Sequence, residues 1–252
     1  MNPPPQQRPS LTPSFLLSSR DTSRVAAGVE SPEPHLGWYS RDYLPHWDHP
    51  GMIQSIVFRF GDSMPAGVVE KWKNELDLLT GKSRQEAGLP GASRQNAGVP
   101  GKQAVELRRR IEAYLDAGHG KCWLNRPDIA RLVERALFHF DGQRYLLLAW
   151  CIMPNHVHVV IETREGFPLP DILHSWKSFT ANQANRILHR RGEFWQREYL
   201  DRYIRNAEHY QQVIAYIEEN PVKAGLARVK TDWPWSSARF RQPGSAGILP
   251  AS

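Results

Sequence analysis

The spacing of apolar positions divides the chain into elements. Gln54-Ser-Ile-Val-Phe-Arg-Phe60 alternates apolar and polar residues with a period of two, the signature of a strand. Pro65 to Leu79 and Ala104 to Ala117 repeat apolar residues at helical spacing, and the first opens on a proline, which suits the first turn of a helix. Pro127 to His139 places Ile129, Leu132, Val133, Ala136 and Leu137 on one stripe and predicts an amphipathic helix. Two apolar runs follow, Arg144 to Ile152 and His156 to Glu162. The intervening Met153-Pro154-Asn155 supplies turn chemistry, so the pair predicts a hairpin. Pro170 to His189 then predicts a long helix, Tyr199 to Ile204 a last strand, and Ala207 to Glu219 a last helix that Asn220-Pro221 should stop. Strand, helix, strand, strand, helix is the order of an α+β sandwich.

Three stretches fall outside this pattern. Residues 1–36 are rich in Pro, Ser and Arg without sustained periodicity and read as a disordered leader. Ser83-Arg-Gln-Glu-Ala-Gly-Leu-Pro-Gly-Ala92 is repeated as Ser93-Arg-Gln-Asn-Ala-Gly-Val-Pro-Gly-Lys102, and two copies make no solenoid. The repeat at 83–102 therefore reads as a low-complexity surface insertion. Residues 242–252 echo its Ala-Gly-apolar-Pro phrase and read as a flexible tail. What remains, residues 37–241, is expected to form a single domain.

Composition narrows the setting. At 252 residues with 40 % hydrophobic content, the chain can bury a sizeable core. No run approaches the apolar length of a membrane span, and the first residues lack the apolar region of a secretory signal, so a cytoplasmic protein with no membrane partner is expected. Two cysteines, Cys122 and Cys151, make no disulfide framework. A formal net charge of +6 and a pI near 9.4 point to a polyanionic partner, nucleic acid foremost.

Against this background two places carry chemistry. In Met153-Pro-Asn-His-Val-His-Val-Val-Ile-Glu162, His156 and His158 are two residues apart, and in a strand such residues share a face. The pair is either a metal-binding or catalytic site or a half-exposed polar face, and a zinc-type site would need a third partner. In the last helix Tyr210, Val213, Ile214 and Ile217 form the core stripe. Tyr216 lies roughly 110° from the middle of it, on a flank shared with Asn220 and His209. Its ring either half-buries beside the core with a wet hydroxyl or presents that hydroxyl for chemistry.

Taken together, the motifs resemble a known family. The Met-Pro-Asn turn and His-hydrophobe-His strand are followed by Phe194-Trp-Gln-Arg-Glu-Tyr199 and Asp201-Arg-Tyr-Ile-Arg205. Then come Tyr216-Ile-Glu-Glu-Asn-Pro-Val-Lys-Ala-Gly-Leu226 and Asp232-Trp-Pro-Trp-Ser-Ser237. This series resembles the REP-associated tyrosine transposases, the single-tyrosine branch of the HUH nucleases, from about Tyr43 to Phe240. The resemblance implies a ferredoxin-like antiparallel sheet with helices on one side, metal-dependent cleavage and rejoining of single-stranded DNA, and recognition of hairpin-forming palindromes. It also implies His156 and His158 as metal ligands, Tyr216 as nucleophile and Asn220 as a third, amide-type ligand. The leader and the repeat depart from the family pattern. No C-terminal helical extension of the sort that aids dimerisation is evident, and both monomer and homodimer are compatible with the sequence.

The chemistry is consistent with those roles. A phenol of pKa about 10 is a weak nucleophile at neutral pH and needs a polarised phosphate. A divalent ion on two imidazoles and an amide, Mg²⁺ or Mn²⁺, would polarise it. Lys177, Arg186, Arg190, Arg191, Arg197, Arg202 and Arg205 are the candidate DNA phosphate contacts. Trp195 and Tyr199 would either stack on bases or pack the core, and Trp233 and Trp235 would anchor the chain end. Two rivals stand beside this reading. One is a zinc hydrolase with Asp201 as the third ligand; the other is a domesticated protein that grips DNA hairpins without cutting.

Overall fold

The computed structural model describes residues 37–40, 45–79 and 102–241. The leader, all of the repeat except Lys102, and the tail lie outside the described residues. Strands β1 (Gly37–Ser40) and β2 (Pro45–Asp48) pair antiparallel as a small two-stranded sheet. The main sheet comprises β3 (Ile53–Arg59), β4 (Tyr145–Ile152), β5 (His156–Thr163) and β6 (Leu200–Tyr203), in the order β4-β5-β3-β6 with every neighbour antiparallel. Around it pack α1 (Ala66–Leu79), α2 (Lys102–Asp116), α3 (Pro127–His139), α4 (Leu169–Ile187) and α5 (Ala207–Lys223). The α+β class and the hairpin at Met153-Pro154-Asn155 are as expected.

The helices cover both faces of the sheet, not the single face expected. Every residue of β4 and β5 is buried, so each face offers apolar surface that needs a cover. On one face Leu147, Trp150, Val157, Val159 and Ile161 meet Ile129, Val133 and Leu137 of α3 and Ile172, Leu173 and Trp176 of α4. Leu146, Leu148, Cys151 and Val160, on the opposite face, meet Tyr210, Ile214 and Ile217 of α5. Val57 and Leu200 pack with Val69 and Leu76 of α1 and with Leu107, Ile111 and Leu115 of α2. The stripe expected on the last helix is thus its buried face.

Two local features differ from expectation. Helix α5 continues through Pro221 to Lys223 instead of stopping at Asn220. Proline removes one backbone donor, and this loss falls in the last turn, where Ala224 N–H still reaches Asn220 O at 2.9 Å. The small β1–β2 sheet carried no alternation signal. It is held from a distance: His46 of β2, fully buried, contacts Asp201 on β6 at 2.5 Å through Nδ1 and Glu198 at 2.7 Å through Nε2. At the other end Trp233 Nε1 donates to Ile152 O, and Ile152 N–H donates to Trp235 O, so both tryptophans anchor the chain end on β4. Cys122 and Cys151 are both free.

Candidate active site

Because β5 is paired on both sides, its two histidines are held by backbone as well as side-chain contacts. His158 stands opposite Val57 of β3 and Cys151 of β4, and His156 opposite Arg59 of β3. Both are buried, at 0 % and 1 % exposure, which removes the half-exposed polar face as an explanation. A buried imidazole needs partners, and each ring has them. Asn155, also buried, donates through Nδ2 to Leu115 O at 3.1 Å and to His119 O at 2.8 Å. Its Oδ1 is therefore the atom that meets His156 Nδ1 at 2.6 Å, and that ring nitrogen is the N–H. The lone pair of His156 is left on Nε2, which faces His158 Nε2 at 2.8 Å. Burial also pushes the His156 pKa down to about 4, against the pull of the Asp116 carboxylate, so the ring is neutral at physiological pH.

Helix α5 brings the other expected residues to the same point. Asn206 caps it by accepting from His209 N–H at 2.8 Å. With the stripe turned into the core, Tyr216 and Asn220, one turn apart, come to lie over His158. Asn220 Nδ2 is 3.0 Å from His158 Nε2, and the Tyr216 ring stands nearly perpendicular to the His158 ring with centroids 5.9 Å apart. The Tyr216 ring is half-buried, as the sequence suggested, but its hydroxyl is not simply wet. It donates to Asp116 Oδ2 at 3.0 Å. Burial, followed by the Asp116 and Glu112 carboxylates, pushes the Tyr216 pKa above the ordinary phenol range, so the resting hydroxyl is protonated.

Two members of this cluster were missed in the sequence. Asp116 ends α2, and its Oδ1 lies 3.4 Å from His156 Nε2 and 3.8 Å from His158 Nε2. In the sequence Asn155 shows only as turn chemistry. Asp201, the carboxylate of the zinc-hydrolase alternative, is engaged by His46, and the carboxylate facing the histidine pair is Asp116. Asp116, His156 and His158 place one ligand atom each within 4.8 Å of one another. Imidazole nitrogens with an oxygen donor fit a divalent cation, and the His156 lone pair that Asn155 aims inward meets the basic requirement for a metal ligand.

A cleft of about 270 Å³ opens beside the cluster, lined by His158 and Tyr216 together with Arg108, Glu112, Asp201, Arg202, His209 and Gln212. Of the seven basic residues expected to touch DNA, Arg202 alone lines it. Lys177 and Arg186 are on α4, which packs on the sheet face away from the histidines, and Arg190 and Arg191 follow it. Lys177 Nζ donates to Arg197 O at 2.9 Å, and Arg190 donates to Glu193 O at 2.8 Å. Arg197 and Arg205 are exposed. Trp195 and Tyr199 are core residues, at 5 % and 2 % exposure, and Trp195 stacks on Phe60 with centroids 4.9 Å apart. Tyr210 is also core, at 4 % exposure.

An antiparallel α+β sheet with paired histidines on an inner strand and a tyrosine reaching them from the last helix is the arrangement that the resemblance to single-tyrosine transposases implied. Comparison with known proteins finds sequence similarity to such transposases over part of the chain. Residues 123–220 match the family model described as "Transposase IS200 like". The chain is 30 % identical over 104 residues to the REP-associated tyrosine transposase of Escherichia coli, a match covering 40 % of this chain and 58 % of that protein. It is 31 % identical over 113 residues to a Haemophilus influenzae protein named for the same family, covering 41 % of this chain and 63 % of that one. The matches thus span somewhat under two thirds of these relatives' lengths. A solved structure of a REP-associated tyrosine transposase bound to a REP hairpin aligns over 82 % of this chain and 89 % of that one, with 17 % identity and a TM-score of 0.47. Among the described residues no helix is long and apolar enough to cross a membrane.

Proposed function

We propose that this protein is a divalent-metal-dependent endonuclease and strand transferase for single-stranded DNA, acting on hairpin-forming repetitive palindromes through a 5′-phosphotyrosine intermediate. The observation that carries the reading is the meeting of the Tyr216 hydroxyl, the His156–His158 pair and Asn220 at one point beside an open cleft. The similarity to proteins named as REP-associated tyrosine transposases supports the same substrate class.

In this reading His156, His158 and Asn220 would hold Mg²⁺ or Mn²⁺, which would supply polarisation of the scissile phosphate and stabilisation of the charge developing on it. Tyr216 supplies the attacking oxygen, and Asp116 orients it by accepting its hydrogen bond. Attack forms a bond from the tyrosyl oxygen to phosphorus and breaks the bond to the 3′-oxygen. Net, the tyrosyl proton ends on the released 3′-hydroxyl, and the ester energy is kept for rejoining. Asn155 holds His156 in the tautomer that keeps Nε2 free. The cleft receives the strand, with Arg202 at its wall and Lys177, Arg186, Arg190, Arg191, Arg197 and Arg205 as phosphate contacts farther out.

The test is a covalent-adduct assay with a 5′-overhang hairpin oligonucleotide and Mg²⁺ or Mn²⁺, resolved on a denaturing gel. A shifted protein–DNA band that requires the divalent ion and Tyr216 is expected. Hairpin binding with no adduct under any divalent ion would leave a non-cleaving hairpin-binding protein.

A further inference from the structure

We propose that Asp116 is a protein ligand of the divalent cation together with His156 and His158, and that its second oxygen holds the Tyr216 hydroxyl against the same centre. This rests on the metal-dependent reading above. It adds an anionic ligand, carried by a different helix, to the donor set that the resemblance implied.

Three observations carry it. The first is the Asp116 carboxylate itself. Its Oδ1 atom is enclosed and receives no hydrogen bond, yet faces two imidazole nitrogens at 3.4 and 3.8 Å. The nearer nitrogen belongs to His156, whose proton is committed to Asn155 on the other side of the ring. An enclosed carboxylate oxygen turned toward a ring lone pair is unfavourable by itself and becomes favourable around a cation. Adjacent ligands of an octahedral ion with bonds of about 2.1 Å stand about 3 Å apart. The separations of 2.8, 3.4 and 3.8 Å among these three atoms are close to that spacing.

The second observation is that Asp116 is positioned by the residue that positions the histidine. Asn155 holds Leu115 O and His119 O, the carbonyls on either side of Asp116, with the same amide that fixes the His156 tautomer. The turn after Asp116 lies close against the backbone that follows β3. Gly120 has φ +94°, and a Cβ there would come within 2.9 Å of Ser63 Cα. Third, the remaining carboxylate oxygen accepts from Tyr216 at 3.0 Å, so one side chain connects the cation position to the nucleophile. Mg²⁺ and Mn²⁺ prefer anionic oxygen to neutral amide, which makes Asp116 the stronger oxygen ligand and Asn220 a weaker one beside it.

The experiment is a Mn²⁺ titration of the full chain without DNA, followed by electron paramagnetic resonance of the free ion, for wild type, Asp116→Asn, Asp116→Glu and Asn220→Ala. Thermal melts with and without Mn²⁺ run alongside. Asp116→Asn should weaken Mn²⁺ binding by at least about tenfold and abolish the Mn²⁺-induced rise in melting temperature. Asp116→Glu should keep more affinity than Asp116→Asn, and Asn220→Ala should lose less. An Asp116→Asn protein that folds and binds Mn²⁺ within about twofold of wild type overturns the proposal. If Asp116→Asn does not fold, Asp116→Glu binding no better than His158→Ala overturns it. The adduct assay separates this result from the functional reading. A wild-type adduct together with unchanged Mn²⁺ affinity in Asp116→Asn refutes the ligand role alone; loss of Mn²⁺ affinity in a protein that never forms adduct refutes the strand-transfer reading alone.

Discussion

Raising the pH should loosen the attachment of the β1–β2 sheet, because His46 is held as an imidazolium between two carboxylates. Each ring nitrogen meets a carboxylate oxygen, Asp201 at 2.5 Å and Glu198 at 2.7 Å, and carboxylates only accept, so both nitrogens must carry protons. Burial by itself would lower the His46 pKa. The hydrogen bonds and charges of Asp201 and Glu198 outweigh it and raise the pKa from 6.5 to about 8. Tyr39 and Tyr199 both pack against the ring and add no charge to it at neutral pH. A folded-state pKa above the unfolded value gives stability that is fully present below about pH 6.5 and lost as pH rises through 8. A shift of this size corresponds to about 2 kcal/mol. Urea denaturation at pH 6, 7, 8 and 9 should therefore show wild type losing about that much between pH 6 and 9. His46→Gln should be less stable at pH 6 and should have a flatter profile. A wild-type profile flat across this range, or a His46→Gln profile of the same slope, would show that His46 is not the linked group.

Four further outcomes follow from the site. Tyr216→Phe should abolish covalent adduct on the denaturing gel and leave hairpin affinity, read by fluorescence anisotropy, within about twofold, since only the hydroxyl is removed. His158→Ala should lose adduct at every Mn²⁺ concentration, whereas Asn220→Ala should recover part of it as Mn²⁺ is raised. Arg202→Ala should weaken hairpin binding more than Arg186→Ala and should reduce the salt slope of log K by about 0.7 to 0.9, because Arg202 lines the cleft and Arg186 is on the far helix. Gly120→Ala should lower stability by about 1–3 kcal/mol in denaturant titration, from a left-handed φ combined with a backbone clash at Ser63.

The sequence revealed elements wherever burial imposed a period. α3 and α5 show their buried faces as an i, i+3, i+4 stripe, and the flank position of Tyr216 followed from the stripe of α5. It did not reveal that helices cover both faces of the sheet. A strand buried on both sides reads as a continuous apolar run, and the run in β4 does not say which helix covers which face. The β1–β2 sheet was illegible for a different reason. Its strands are four residues long, and the bond that docks it joins His46 to Asp201, 155 positions away. Positive charge was visible, but its placement was not: Arg186 and Arg202 look alike in a sequence, and only topology puts them on opposite sides of the sheet.

The candidate site was half legible by the same logic. His156 and His158 are two residues apart, and Tyr216 and Asn220 are four apart, so each pair declared itself through the period of its own element. Asp116 had no such signal, because its neighbours in space come from β5 and α5 and it ends a helix whose stripe serves a different part of the core. Asn155 is the more instructive case. Its place in a Met-Pro-Asn turn already explained an asparagine there, yet its side chain reaches past its own turn to Leu115 O and His119 O. Backbone carbonyls carry no residue identity, so a side chain that works by gripping them leaves no partner to find in the sequence. The fold supplies that partner by bringing the end of α2 against the β4–β5 turn, and this contact fixes both the His156 tautomer and the position of Asp116.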